Sequence, residues 1–194
     1  YNYYISETTT TATSTASSST GEEGEEIVTS ALSFKISKDT RNSFFNPTSG
    51  HLLSFINTLS GFGGDSSFFK SEFKSKLFYP IDYGDYVLGF KTGTGFVSGI
   101  DDKVTSSNRF RLGGKTLRGF DNSGIGPRDT GNKQAVGGNN FYNLSVELRS
   151  DEWMPSDTGI EWFVFSDAGS IWGTDFETGV EGYDDSAPRI TNGF

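Results

Sequence analysis

The chain has 194 residues, with 16 Lys and Arg against 25 Asp and Glu, which gives a formal net charge of −9. This length fits one or two domains. The acidic balance argues against nucleic acid as a partner, because nucleic-acid binding requires clustered Lys and Arg. The chain has no Cys and one His, His51, which excludes disulfides and Cys-based zinc sites and leaves little for imidazole chemistry. The composition therefore removes the most familiar catalytic arrangements.

Aromatic residues and glycine are frequent, with 18 Phe, 8 Tyr and 25 Gly, whereas hydrophobic residues make up only 33% of the chain. No stretch approaches the roughly 20 apolar residues of a membrane-spanning helix. A transmembrane β-strand needs only about 9–11 residues with every second one apolar, so a barrel can be hydrophilic on average and still face lipid. Composition alone does not distinguish a soluble protein from a membrane barrel.

The N-terminal region combines a possible short strand, 1–5, with a segment rich in Ser and Thr. Of the 15 residues from 6 to 20, 12 are Ser or Thr, and a run of Gly and Glu follows to residue 26. Such a segment has no apolar face to bury, so we predict a solvated loop over 6–26. The chain starts at Tyr1 without an initiator Met or a signal peptide, which indicates a fragment or a processed chain.

The rest of the chain alternates two-faced segments with turn sequences. In the segment 68–79, one face carries Phe69, Phe73, Leu77 and Tyr79, and the other carries Lys70, Glu72, Lys74 and Lys76. The segment 86–97 has one aromatic face and one face of mostly small residues, which carries Gly89, Gly93 and Gly95 and which we call the glycine face. The segment 141–149 also alternates with a period of two. A period of two is typical of strands. Together with further strands at 27–38, 51–60, 160–172 and 188–194, the pattern predicts about eight strands and no helix.

The connections between these strands differ strongly in length. If successive strands run up and down, the very long segments 6–26 and 99–138 lie at the same end, as in outer-membrane barrels. Most of the segments are also longer than the ~5–6 residues usual for strands in soluble sheets. A soluble β-sandwich is the alternative at this point.

The most distinctive segment, 108–138, is dense in glycine and contains the sequence Leu117-Arg118-Gly119-Phe120. A phosphate-binding loop is rejected, because the glycine and lysine spacing of that motif is missing. Together with Gly124-Ile125-Gly126-Pro127-Arg128-Asp129, Ser145-Val146-Glu147-Leu148 and Phe165-Ser166-Asp167-Ala168-Gly169, the segment resembles the sixth extracellular loop and the next two strands of BamA-like outer-membrane assembly factors. The resemblance covers 27–194.

The resemblance implies a site as well as a fold. In this family the loop folds back into the barrel, and the Arg of its Arg-Gly-Phe motif contacts acidic groups on the inner wall. Arg118, Glu147 and Asp167 occupy the matching positions. The alternation of its strand independently directs Glu147 into the lumen, whereas Asp167 shares a face with two Phe residues, so its direction stays open. The predicted functional motif is Leu117, Arg118, Gly119 and Phe120, with no catalytic or metal-ligating residue.

For the whole chain, 1–194, the resemblance implies an all-β, transmembrane antiparallel barrel that is incomplete, with about eight of about sixteen strands. It implies a role in folding and inserting β-barrel proteins into the bacterial outer membrane, without enzymatic activity or cofactor. The implied partners are outer-membrane lipid, unfolded barrel clients and accessory lipoproteins, the last bound through regions missing here such as the POTRA repeats. Nucleic acid is not among them.

Three alternatives remain. A related barrel of the same superfamily, for two-partner secretion or translocation and assembly, shares the Arg-Gly-Phe loop. A soluble all-β binding module is an alternative from another class. A barrel enzyme has only His51 as an imidazole, at the end away from the long loops. Phe194 is interpreted as a truncation point, because residues 190–193 lack the alternation of a closing strand.

Overall fold

The computed structural model describes residues 2–15, 26–81, 85–101, 103–154, 159–175, 179–182 and 184–194. These residues form ten β-strands: β1 (Asn2–Thr15), β2 (Glu26–Asp39), β3 (Gly50–Gly64), β4 (Phe68–Ile81), β5 (Tyr86–Gly99), β6 (Arg128–Asp129), β7 (Asn140–Ser150), β8 (Trp162–Trp172), β9 (Val180–Glu181) and β10 (Arg189–Gly193). In this part of the chain, no helix has the length and apolar character needed to cross a membrane.

Eight strands form one sheet in the order β1-β2-β3-β4-β5-β7-β8-β10, and each neighbouring pair is antiparallel. The two short strands β6 and β9 pair with each other outside this sheet. Within the described residues, β1 and β10 are the edges of the large sheet. The predicted all-β fold with about eight antiparallel strands is confirmed.

The solvated loop predicted over 6–26 is wrong for its first part. The strand β1 continues to Thr15, and its register with β2 extends to the pair Thr15 and Glu26. Thr is β-branched and favours strands, and a neighbouring strand satisfies the backbone groups of a segment that has little apolar surface. Residues 16–25 of the predicted loop lie outside the described residues.

The end of β3 also differs from the prediction. The predicted strand 51–60 is longer in the structure, where β3 continues through the glycine-rich sequence 61–64 and ends at Gly64. A register shift in the β2–β3 ladder lies at this end, between Thr29 and Ala31, and it absorbs the extra residues of β3. Glycine in a strand is typical of such irregularities.

The two faces of the sheet differ in chemistry, as the alternation predicts. The outer face exposes large apolar side chains, including Phe34, Phe55, Phe73, Phe90 and Leu144. The inner face carries charged residues of β4, glycines of β5 and polar residues of β7, which the register places side by side. An apolar outer face opposite a polar inner face is the pattern of a membrane barrel wall.

The buried core lies between the inner face and the long β5–β7 connection, residues 100–139, which we call the plug loop. Its members are Phe68, Val97, Val104, Phe110, Leu112, Leu117, Ile125, Phe141 and Ile171, with Phe120 packed against it. Five of these residues belong to the plug loop. Burial of apolar surface therefore holds the plug loop against the wall.

The turn between β2 and β3 also crosses the inner side of the sheet. The Asn46 side-chain amide donates to Glu161 Oε1 at 2.7 Å, just before β8. The Arg149 guanidinium, on β7, donates to the Pro47 carbonyl. These contacts join the β2–β3 turn to β7 and to the start of β8, three to five places away in the sheet, so the wall curves around its inner face.

Candidate functional site

The segment that carries the Arg-Gly-Phe motif is fixed by local hydrogen bonds before it reaches the wall. The Gly114 N–H donates to the Phe120 carbonyl at 2.9 Å, which closes the backbone around the motif. The Thr116 hydroxyl donates to the Gly113 carbonyl at 2.8 Å. Leu117, next to the arginine, is 0% exposed and belongs to the core. These contacts place the Arg118 side chain on the wall side of the loop.

Arg118 joins the plug loop to two neighbouring strands. Its Nε and Nη2 donate to the two carboxylate oxygens of Asp167, on β8, at 2.8 and 2.7 Å. Its Nη1 donates to Glu147 Oε2, on β7, at 2.6 Å. Its Nη2 also donates to the Ser145 hydroxyl at 2.9 Å. A guanidinium offers a rigid fork of donors, so one residue here contacts three wall side chains.

The motif backbone takes part in the same contact. The Arg118 N–H donates to Asp167 Oδ2 at 3.1 Å. At Gly119 the backbone has φ +83°, and a Cβ placed there would lie 2.5 Å from Thr191 Oγ1 on β10. This position therefore requires glycine for both its conformation and its clearance. The motif touches β7, β8 and β10.

An aromatic ring completes the surroundings of the arginine. The Arg118 guanidinium carbon lies 3.7 Å from the centre of the Phe165 ring and 6.0 Å from that of Phe163. A cation over an aromatic face is attracted to it, most strongly where water is excluded. Phe163 and Phe165 are the residues that made the direction of Asp167 uncertain in the sequence. In the structure they lie on the same inner face as Asp167.

We call the group formed by Arg118, Asp167, Glu147, Ser145 and Lys91 the anchor. Lys91 is the member of this group that the sequence did not reveal. Its Nζ lies 3.3 Å from both carboxylate oxygens of Glu147, so Glu147 binds Lys91 and Arg118 together. Lys91 lies on the glycine face of β5, and its relation to Glu147 depends on the register between β5 and β7. The sequence indicates only that Lys91 lies on the predicted inner face, and not that it contacts Glu147.

The charge of the anchor is well defined. Hydrogen bonding to Asp167, and secondarily to Glu147, raises the pKa of Arg118, although burial opposes this effect. The arginine side chain is 26% exposed, whereas those of Asp167 and Glu147 are 4% and 14% exposed. The anchor is therefore a partly buried group of opposite charges with its carboxylates hydrogen-bonded. In the described residues, no group of His, Asp or Glu side chains is placed to hold a metal ion.

His51 lies away from this site. It is the second residue of β3, and its Nδ1 lies 3.0 Å from the Thr40 hydroxyl. The Thr40 hydroxyl also accepts a hydrogen bond from the His51 N–H at 3.0 Å. His51 thus connects the start of β3 to the turn between β2 and β3.

Comparison with known proteins agrees with this architecture. Residues 1–192 match the Omp85 superfamily domain. The outer membrane protein assembly factor BamA of Neorickettsia risticii is 32% identical over 167 residues, which cover 86% of this chain and 22% of that protein. The sorting and assembly machinery component 50 homolog A of Xenopus laevis is 36% identical over 130 residues, 66% of this chain and 27% of that protein.

A solved structure supports the fold. The crystal structure of BamA from Haemophilus ducreyi lacking POTRA domains 1–3 superposes with a TM-score of 0.78 at 22% identity, covering 89% of this chain and 36% of that one. The chain thus spans about a quarter of the length of the relatives it matches. The sheet, the inward plug loop and the family match together show that this chain belongs to the Omp85 superfamily and forms part of a β-barrel of the bacterial outer membrane.

Proposed function

We propose that the chain is the middle wall and plug of an assembly factor that folds and inserts β-barrel proteins into the outer membrane. The names of the bacterial and animal relatives, an assembly factor and a sorting and assembly component, support this role. The observation that carries the proposal is the contact of Arg118 with Asp167 and Glu147. This contact fixes the plug loop on the inner side of the wall, against β7 and β8.

The anchor acts in this proposal by position and charge. Because the anchor fixes the plug loop at one point, the loop stays on the inner side of the wall and does not interfere with neighbouring strands. The same contact stabilises the curvature of the wall. Removing one partner from a buried ion pair costs about 3–5 kcal/mol, and less where water reaches the pair. We infer that this energy keeps the barrel in the form that receives clients, without a catalytic residue or a cofactor.

The partners follow from the same proposal. The apolar outer face, with exposed residues such as Phe73 and Phe90, fits outer-membrane lipid. The clients are unfolded outer-membrane β-barrel proteins. Accessory lipoproteins bind the complete protein through regions outside these 194 residues.

The direct test is complementation by the full-length protein in cells depleted of their own copy. We expect Arg118→Ala to reduce growth and the amount of folded outer-membrane proteins, because the plug loses its contact with both strands. Arg118→Lys, which keeps the charge and loses the fork, has an intermediate effect.

The matched control is Lys133→Gln. Lys133 lies in the same loop and forms an exposed ion pair with Glu181, and exposed pairs contribute little. Normal growth and normal client folding with Arg118→Ala, at an unchanged level of the protein, contradict the proposal.

A further inference from the structure

A cavity of about 470 Å³ lies between the plug loop and the wall. It is lined by the charged face of β4, by Gly93 and its neighbours on β5, by inner residues of β7, and by the plug loop around Phe110 and Lys115. Ligand pockets in proteins have volumes of about 300–1,000 Å³. The anchor accounts for Lys91, Arg118 and Asp167 among the charged lining residues, and Lys74 pairs with Glu72 at 2.7 Å. The remaining charged lining residues are Lys76, Arg111 and Lys115.

Cations outnumber anions in this cavity. Two lining residues, Glu72 and Asp167, are acidic, and Glu147 contacts two of the lining cations. The lining cations are Lys74, Lys76, Lys91, Arg111, Lys115 and Arg118. In a chain with a net charge of −9, the cavity thus concentrates positive charge. A cleft with an excess of one sign of charge attracts small ions of the other sign.

Two of these cations face each other. Lys76 and Lys91 are directly opposite in the β4–β5 ladder, where like charges destabilise a sheet. Among the described residues, no ion pair joins Lys76 to a carboxylate. Lys74 lies two residues away on the same inner face, and it pairs with Glu72 at 2.7 Å. A bound anion would remove this repulsion.

We propose that the cavity binds a phosphate monoester, with Lys76 and Lys91 of the wall and Lys115 of the plug loop as its ligands. Ammonium groups bind phosphate as point charges, and a dianion neutralises more of the excess charge than a carboxylate does. The guanidinium groups are less available, because Arg118 binds both wall carboxylates at 2.6–2.8 Å and Arg111 donates to Ser106. Among the ion pairs of the described residues, Lys91 contacts only Glu147, at the longer distance of 3.3 Å, and a bound anion would share it with that carboxylate.

The position of the ligands gives the anion a structural effect. Lys115 is exposed and lines the cavity from the plug loop, whereas Lys76 and Lys91 belong to β4 and β5. A bound phosphate therefore joins the plug loop to strands that Arg118 does not contact directly. Because a ligand that binds only the folded state stabilises it, phosphate should raise the unfolding temperature of the barrel.

The test uses the purified full-length protein in detergent, at an ionic strength kept constant with NaCl. Inorganic phosphate and glucose 1-phosphate are titrated by calorimetry, and the temperature at which compact gel migration is lost is measured in parallel. Mixed micelles containing phosphatidic acid form a third arm, which distinguishes a lipid-borne phosphate from a free one. We expect saturable binding and a higher unfolding temperature with at least one of these probes.

The variant Lys76→Gln is expected to weaken phosphate binding and, without phosphate, to stabilise the barrel. It weakens phosphate binding by about tenfold or more, and it raises the unfolding temperature without phosphate, because the repulsion with Lys91 is gone. The control is Lys35→Gln, an exposed lysine on β2 that does not line the cavity, and it leaves binding unchanged.

Two outcomes overturn the proposal: no saturable binding of any of the three probes, or equal binding by Lys76→Gln and the unaltered protein. These measurements do not depend on client assembly, so their failure is separate from a failure of the complementation test.

Discussion

Asp167 accepts hydrogen bonds from both the side chain and the backbone of Arg118. The guanidinium donates to its two carboxylate oxygens at 2.8 and 2.7 Å, and the Arg118 N–H donates to Oδ2 at 3.1 Å. Asp167 is 3% exposed. One wall carboxylate thus fixes the conformation of the motif as well as the position of its charge.

This relationship predicts a difference between the two acidic partners. Asp167→Asn in the full-length protein should lower the unfolding temperature more than Glu147→Gln. Asp167 accepts three hydrogen bonds from Arg118, whereas Glu147 accepts one and also has Lys91 as a partner. Losing a charged hydrogen-bond partner in a buried site costs about 1.5–3 kcal/mol. Heat-modifiable gel migration measures the difference, and an equal or reversed order contradicts the assignment.

The glycine face of β5 predicts a second difference. A Cβ at Gly95 would lie 2.7 Å from the Ser71 carbonyl oxygen and 2.8 Å from a carbon of the Phe141 ring. A Cβ at Gly89 would meet nothing closer than 3.7 Å. Gly95→Ala should therefore destabilise the barrel by about 1–3 kcal/mol, the usual cost of overpacking, while Gly89→Ala is tolerated. Equal unfolding temperatures for the two variants would show that the inner face does not pack in this way.

Sequence reasoning located most of the strands and the inner direction of Glu147, because alternation with a period of two determines which residues share a face. It left Asp167 open, because Phe165 shares its face, and that ring turns out to stack on Arg118. It missed Lys91, whose contact with Glu147 depends on the register between two strands far apart in sequence. It also missed the strand up to Thr15, because Thr is common both in polar loops and in strands.

The backbone at Gly119 gives a third prediction. Gly119→Ala places a methyl group in a left-handed conformation, φ +83°, and within 2.5 Å of Thr191 Oγ1. Gly179 has a similar φ of +79° but nothing within 4 Å of its Cβ position. Gly179→Ala thus measures the backbone strain alone, about 1–2 kcal/mol. We expect Gly119→Ala to be clearly more destabilising in a thermal unfolding assay. The opposite order would place the motif away from β10.

The aromatic contact gives a fourth prediction. Phe165→Leu removes the ring that lies 3.7 Å from the Arg118 guanidinium and should lower barrel stability by about 0.5–2 kcal/mol beyond the change in apolar area. Phe163→Leu is the control, since its ring is 6.0 Å away and 43% exposed. Urea unfolding of the full-length protein in lipid vesicles compares the two variants. A larger effect at Phe163 contradicts the stacking of Phe165 on the arginine.

Arg118 fixes the plug loop to the wall through Asp167, and a double-mutant cycle tests this contact most directly. Arg118→Ala, Asp167→Ala and the double variant are compared with the unaltered full-length protein by urea unfolding in lipid vesicles. Residues that form one charged hydrogen-bonded pair show coupling energies of about 0.5–3 kcal/mol. We predict a coupling energy in the upper half of this range, with the double variant little worse than either single one. Additive effects, with a coupling energy near zero, would contradict the claim.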